Sequence, residues 1–151
     1  MDDSILEKIK YFCAYQERSQ YEVRNKLLGM KIYGDDLELY IVALLEENFI
    51  NEERFSKAYA GGKFRVKHWG RQKIVQGLKQ HKISVYCIKA GLAEIKEEDY
   101  RLIFNQLAEQ KLASLQKERS VWNKKAKLRN FLLQRGFEDE YIYEFIRNYL
   151  S

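Results

Sequence analysis

The chain has 151 residues, 46% hydrophobic and 32% charged, with no proline and a formal net charge of +5. Its longest wholly apolar run, Tyr40 to Leu45, falls far short of the ~20 residues a helix needs to cross a bilayer. Cys13 and Cys87 are distant in sequence and form no CxxC pair, so a disulfide scaffold is not expected and a reducing compartment fits.

The opening MDDSILEKIK is acidic first and amphipathic after, unlike a secretory signal or a transit peptide, and the protein is expected to be cytoplasmic. Charge is unevenly distributed: residues 1–50 carry −4, residues 51–93 carry +8 and residues 94–151 carry +1. Between Arg54 and Lys89 there is no Asp or Glu at all. Such polarity steers a protein toward an acidic partner.

The spacing predicts helices throughout. Ser4 and Glu7 read as a capping box for the first, whose apolar stripe is Ile5, Ile9, Phe12 and Cys13. Ser19 and Glu22 form a second capping box, followed by Val23, Leu27 and Leu28 on one face, with Gly29 and Gly34 bracketing the exit. Asp35 and Asp36 sit at the positive end of a third helix with Leu37, Ile41, Leu44 and Leu45 inward. Asn51 caps a fourth, whose inward stripe reads Phe55, Tyr59, Gly62 and Val66. Gly61-Gly62 inside that helix costs roughly 1 kcal/mol per glycine, so either a close helix crossing or fraying is expected there. Gly70 opens a fifth helix around Ile74 and Leu78, and Ser84 caps a sixth around Ile88, Leu92 and Ile95. In the last third, a helix starts at Glu97-Glu98-Asp99, another starts at Ser120 and stops at Gly136, and the last runs from about Glu138.

A shift of 51 residues superposes Val23, Leu27, Ile32, Leu37 and Ile41 on Ile74, Leu78, Ile83, Ile88 and Leu92. A further shift of 54 reaches Leu128, Leu132, Phe137, Ile142 and Ile146, without a gap. The chain therefore reads as all-α, with three tandem three-helix repeats at 1–50, 51–96 and 97–151, stacked into an elongated, curved array of unspecified hand.

No pattern for catalysis emerges. Gly29 and Gly34 have the outer spacing of a phosphate-binding loop, but Asp35-Asp36 stand where Lys-Ser/Thr is required. His68 and His81 lack the companions of a zinc site, and no serine lies in a nucleophile elbow. No metal, no cofactor and no enzymatic activity is expected. The basic middle, by contrast, interleaves Lys63, Arg65, Lys67, Arg71, Lys73, Lys79 and Lys82 with Phe64, His68 and Trp69. Cations beside aromatics suit phosphate contact with stacking and equally suit an acidic protein groove. Trp69 reads either as a contact residue or as a plug between helices. Lys124, Lys125, Lys127 and Arg129 form a weaker cluster, of the kind common on solvated helix faces.

Several segments resemble the RecX regulators of the RecA recombinase. They are SxxEVxxKLL at 19–28, FINEERFSKAYA at 49–60, KFRVKHWGRQKIVQGLKQHKIS at 63–84 and KLRNFLLQRGF at 127–137, in the family's order and spacing. Gly61 departs from the pattern, where an arginine or another polar residue is expected. The resemblance implies tandem three-helix units and a non-enzymatic regulator that binds RecA filaments; the protein is expected to be a monomer. Such a regulator restrains strand exchange, ATP hydrolysis and co-protease activity in DNA repair and the SOS response. Whether single- or double-stranded DNA is touched directly is left open. The other reading is a helix-turn-helix-like DNA-binding module, with the fifth helix offering Arg71, Gln72, Gln76 and Gln80 to bases.

Overall fold

The computed structural model describes residues 1–150, and among these the chain is helical with no strand. Nine helices follow in order: α1 (Asp3–Tyr15), α2 (Gln20–Gly29), α3 (Gly34–Glu46), α4 (Glu52–Lys67), α5 (Arg71–Gln80), α6 (Val85–Leu92), α7 (Glu97–Ser114), α8 (Val121–Gln134) and α9 (Asp139–Tyr149). No helix among the described residues is long and apolar enough to cross a membrane. The chain packs as two compact units, residues 1–59 with 78–91, and residues 60–77 with 92–151.

The repeated apolar positions are the cores of these units. Val23, Ile74 and Leu128 are fully buried, as are Leu27, Leu78 and Leu132, and Ile32, Ile83 and Phe137 are buried at the turns that follow. The repeat extends to the backbone of those turns. Lys31, Lys82 and Gly136 each adopt a positive φ, of 64°, 61° and 96°. Each is followed by an N–H that reaches back five residues: Ile32 to the Leu27 carbonyl, Ile83 to Leu78 and Phe137 to Leu132, all at 3.1 Å. This is the left-handed closure that satisfies a helix's last carbonyls. Only the third repeat uses glycine for it. The first two use lysine, although left-handed backbone disfavours a residue with a Cβ.

In the first unit, Ile9 and Cys13 of α1 meet Val23 and Leu27 of α2 and Leu37, Ile41 and Leu44 of α3. Burial pushes the Cys13 thiol up to about 11, so it behaves as a small hydrophobe. The Ser19 capping box forms in full, with Ser19 Oγ accepting from the Glu22 N–H at 3.1 Å and Glu22 accepting from the Ser19 N–H at 3.0 Å. Ser19 Oγ also pairs with His81 Nδ1 at 2.9 Å. The His81 ring lies among Phe55, Tyr59 and Tyr21, with ring centroids 5.0, 5.5 and 6.3 Å away. Asn51 caps α4 by accepting from the Arg54 N–H at 2.8 Å, and Ser84 caps α6 by accepting from the Cys87 N–H at 3.2 Å.

The second unit is built around aromatic rings. Tyr100 of α7 is fully buried, its ring centroid 5.8 Å from Phe64 and 5.3 Å from Phe137. Gly70 and Gly136 touch through their backbones, and a Cβ on Gly70 would sit 2.3 Å from the Gly136 carbonyl carbon. The contact seals the start of α5. The Gly70 N–H donates to the Arg135 carbonyl at 2.7 Å, the Arg71 N–H to the Tyr100 hydroxyl at 2.9 Å, and the Gln72 N–H to the Gly136 carbonyl at 2.9 Å. Donors that a helix N-terminus leaves orphaned are here satisfied by α7 and by the α8–α9 turn.

Several sequence expectations are corrected. Asp2, not Ser4, caps α1, accepting from the Ser4 N–H at 2.8 Å, because its carboxylate precedes the first turn. The residue that closes α2 in left-handed backbone is Lys31 rather than Gly29. Leu28 and Leu45 are exposed, since one stripe per helix is enough to fill the core beneath. On α4 the inward stripe is Phe55, Ser56, Ala60 and Phe64, whereas Val66 is 76% exposed. Nor does a helix cross at Gly61-Gly62, and α4 does not fray there. The Arg65 guanidinium folds back over Gly61, 2.8 Å from where a Cβ would stand. The close crossing lies one turn earlier, where a Cβ on Gly91 of α6 would come within 2.3 Å of Ser56 Oγ.

Candidate functional site

The end of α4 and the start of α5 shape the basic surface. His68 takes a positive φ of 56°, its N–H donates to the Phe64 carbonyl at 3.0 Å, and the Trp69 N–H donates to the Lys63 carbonyl at 3.1 Å. This turn carries Trp69 back toward the helix it has just left. Lys63 Nζ then lies 4.8 Å from the Trp69 ring centroid, and Lys73 Nζ, from the first turn of α5, lies 4.6 Å from it. An ammonium over an indole is worth ~0.5–1 kcal/mol at an exposed site, so the half-buried ring gathers two cations that would otherwise repel each other. Trp69 is thus neither a buried plug nor a bare contact. It holds Lys63 and Lys73 together.

Arg65 and Lys67 are exposed on α4, and the Lys67 carbonyl accepts from Arg135 Nη1 at 3.4 Å. Arg71 is placed differently. Its Nη2 is 2.7 Å from Glu97, its Nη1 is 3.2 Å from Glu138 and 3.1 Å from the Tyr141 hydroxyl, and its guanidinium lies 3.8 Å from the Tyr100 ring centroid. Burial works against its charge, but hydrogen bonds to Glu97, Tyr141 and Glu138 more than offset that and push its pKa up. Tyr100 also donates a very short hydrogen bond to Glu138, and its own pKa is raised by burial first and by Glu138 second. Glu97 is held below the usual carboxylate range by the Tyr141 hydroxyl first and Arg71 second. Arg71 is thus the centre of an internal polar network linking α5, α7 and α9.

Lys79 and Lys82 belong to the first unit rather than the second. Lys79 is exposed, and Lys82 Nζ lies 5.9 Å from the Tyr21 ring centroid. In the weaker cluster, Lys127 pairs with Glu118 at 2.7 Å and Arg129 with Asp139 at 3.2 Å. Lys124 and Lys125 are half-buried and enter no ion pair among the described residues. Sequence reasoning brought Lys63, Trp69 and Lys73 into one site but passed over Trp122, which is 81% exposed at the start of α8. Its signal was available: a tryptophan beside Lys124-Lys125 and away from the repeated apolar stripe.

The fold and this surface define a class, tandem helical-repeat proteins carrying a localised cationic face. Residues 51–92 match the profile of the RecX second three-helix domain, and residues 103–146 match that of the RecX third three-helix domain. The "Regulatory protein RecX" of Herminiimonas arsenicoxydans is 33% identical over 132 residues, covering 85% of this chain and 81% of the relative. The protein of the same name from Clostridium perfringens strain SM101 is 31% identical over 80% of this chain, which spans 56% of that relative's length. The crystal structure of RecX from Lactobacillus salivarius superposes with a TM-score of 0.82 at 24% identity, over 95% of this chain and 92% of that one, a likeness of fold. The chain belongs to the RecX family of regulatory proteins.

Proposed function

We propose that the protein is a non-enzymatic regulator that binds the RecA nucleoprotein filament and restrains its ATP hydrolysis, strand exchange and co-protease activity. The observation that carries this reading is the Lys63–Trp69–Lys73 cluster, inside the segment that matches the RecX second three-helix domain. Two ammonium groups fixed on one indole present a preorganised cationic contact, and preorganisation spares the entropy of ordering two long side chains on binding. Lys63, Lys73 and Trp69 make the primary contact, with Arg65 and Lys67 at its rim. Arg71 acts as the strut beneath.

The reading is tested by adding purified protein to RecA on single-stranded DNA and following ATP hydrolysis. Near-stoichiometric protein should slow the reaction, and Lys63→Glu with Lys73→Glu should abolish the slowing while helicity is unchanged. Hydrolysis that proceeds at full rate with the native protein, under conditions where filaments form, would refute it. The helix-turn-helix reading is not favoured by the geometry, because the leading N–H groups of α5 and the Arg71 side chain are already engaged within the protein.

A further inference from the structure

Two exposed apolar spots have no part in the core, and the charges around them are of opposite sign. On α3, Leu39 and Val42 are 54% and 48% exposed. Single apolar side chains on a surface are ordinary. These two, however, stand three apart and share the outer face of the helix, opposite the buried Leu37, Ile41 and Leu44. Asp35 lies one turn before Leu39 and Glu46 one turn after Val42, so an acid brackets the pair at each end. Leu39 also walls a hollow of about 280 Å³ with Ile5, Ile32 and Asp36, with Lys31 at its edge.

The acids of α3 are not all used by the fold. Glu38 pairs with Arg24 at 2.6 Å, whereas Asp35, Asp36 and Glu46 enter no ion pair among the described residues. Asp35 and Asp36 suit the positive start of the helix, but Glu46 stands in its last turn, where the helix dipole disfavours an acid. No Lys or Arg lies within α3 to offset it. The counterpart is at the end of α4. Val66 is 76% exposed there, with Arg65 and Lys67 about 100° round the helix on either side. Neither cation enters an ion pair among the described residues, and no Asp or Glu occurs between Arg54 and Lys89.

We infer that the outer face of α3 docks on the Arg65–Val66–Lys67 surface of a second copy of this chain. Val66 meets Leu39 and Val42, and the two cations meet Asp35 and Glu46. Each surface has an apolar centre, and the anionic rim of one complements the cationic rim of the other. Because the two patches differ, the contact is head-to-tail and leaves one patch of each kind open at the ends of a string. Pairing of α3 with α3 would instead set Asp35 and Glu46 against like charges. The patches are small, so the association is weak and gives way to the monomer in dilute solution. It requires no RecA and is independent of the function proposed above.

Sedimentation velocity of the full chain across a concentration series, at low salt and without RecA or DNA, tests it. The weight-average sedimentation coefficient should rise with concentration and fall back as salt is added. Leu39→Gln with Val42→Gln removes the apolar centre of α3, and Val66→Glu with Lys67→Glu reverses the cationic patch. Each double variant alone should raise the dissociation constant about 10-fold or more, from the lost apolar contact. Mixed in equal amounts, the two should form a dimer and nothing larger, because the first keeps its basic patch and the second its acidic face. Asp35→Asn with Glu46→Gln leaves the apolar centre in place and should flatten the salt dependence. The inference is overturned if the native chain stays monomeric throughout, if either double variant associates like the native chain, or if the mixture does not pair. It is equally overturned if α3 captures a basic Leu/Lys model helix while the chain shows no self-association, since the occupant is then another protein. All the substituted positions are exposed, so helicity and melting temperature should be unchanged.

Discussion

At the scale of single residues, the molecule separates charges held in internal networks from charges left at the surface. Arg71 and Lys73 are two apart on α5, yet the Arg71 side chain faces two carboxylates, the Tyr141 hydroxyl and the Tyr100 ring while Lys73 lies against an indole. Replacing Arg71 by leucine leaves Glu138 and the Tyr141 hydroxyl short of a partner. That should destabilise the protein by about 2 kcal/mol, a value kept low because the arginine is partly solvated, and the urea midpoint is the check. The same network sets a pH dependence. The folded state holds Tyr100 neutral, its pKa above that of a free tyrosine. Its contribution is therefore complete below pH ~10 and is lost as pH rises beyond that value. Urea midpoints should fall as pH rises from about 10 to 12, and should fall less steeply in Tyr100→Phe. On the acid side Glu97 contributes in the opposite sense: its lowered pKa stabilises above the free carboxylate value and is lost as pH falls.

At the scale of elements, what a sequence shows depends on whether the decision is local. Val23, Ile74 and Leu128 were legible as core because the i, i+4 spacing with Leu27, Leu78 and Leu132 admits one buried face, and that face recurs across three turns of like geometry. The stripe of α4 was not. Phe55–Tyr59–Gly62–Val66 and Phe55–Ser56–Ala60–Phe64 both suit a helical period, and the choice belongs to Tyr100, far along the chain, whose ring receives Phe64. The cationic site was legible as composition, but its division into Lys63–Trp69–Lys73 and a structural Arg71 was not, since the acids that claim Arg71 come from α7 and α9. The crossing at Ser56 and Gly91 was hidden for the same reason. Ser56 Oγ is buried there without a hydrogen-bond partner among the described residues. Ser56→Ala removes an unsatisfied hydroxyl and should be neutral or stabilising by up to ~1 kcal/mol. Gly91→Ala forces a Cβ onto Ser56 and should cost about 1–3 kcal/mol. Thermal melts of the two variants should move in different directions. In α2, Ser19→Ala removes both the cap and the His81 contact and should cost ~1–2 kcal/mol, measured by the same melts.

At the scale of the whole molecule, charge parts company with the repeat. The three repeats share an apolar frame, but residues 51–93 carry +8 against −4 and +1 for the flanking segments. Association with an acidic partner through the central segment should weaken as salt rises, since exposed charges are screened over about 8–10 Å near physiological ionic strength. Pull-down of RecA filaments across a salt series, comparing the native chain with Lys63→Glu, Lys73→Glu, checks this: the native signal should fall with salt and the variant should show little to lose.

The sealed start of α5 also has a bearing on how the chain comes into being. Gly70, Arg71 and Gln72 give their N–H groups to acceptors at Arg135, Tyr100 and Gly136. On the ribosome, where residues emerge in order, those acceptors arrive last. Until Gly136 has cleared the exit tunnel, the first turn of α5 has only water to bond to, and Phe64 has no Tyr100 ring to lie against. The residues that carry the cationic turn are thus made early and finished late. A nascent chain halted near residue 96 should accordingly leave the Gly70–Gln72 amides in rapid exchange with solvent, and the complete chain should protect them.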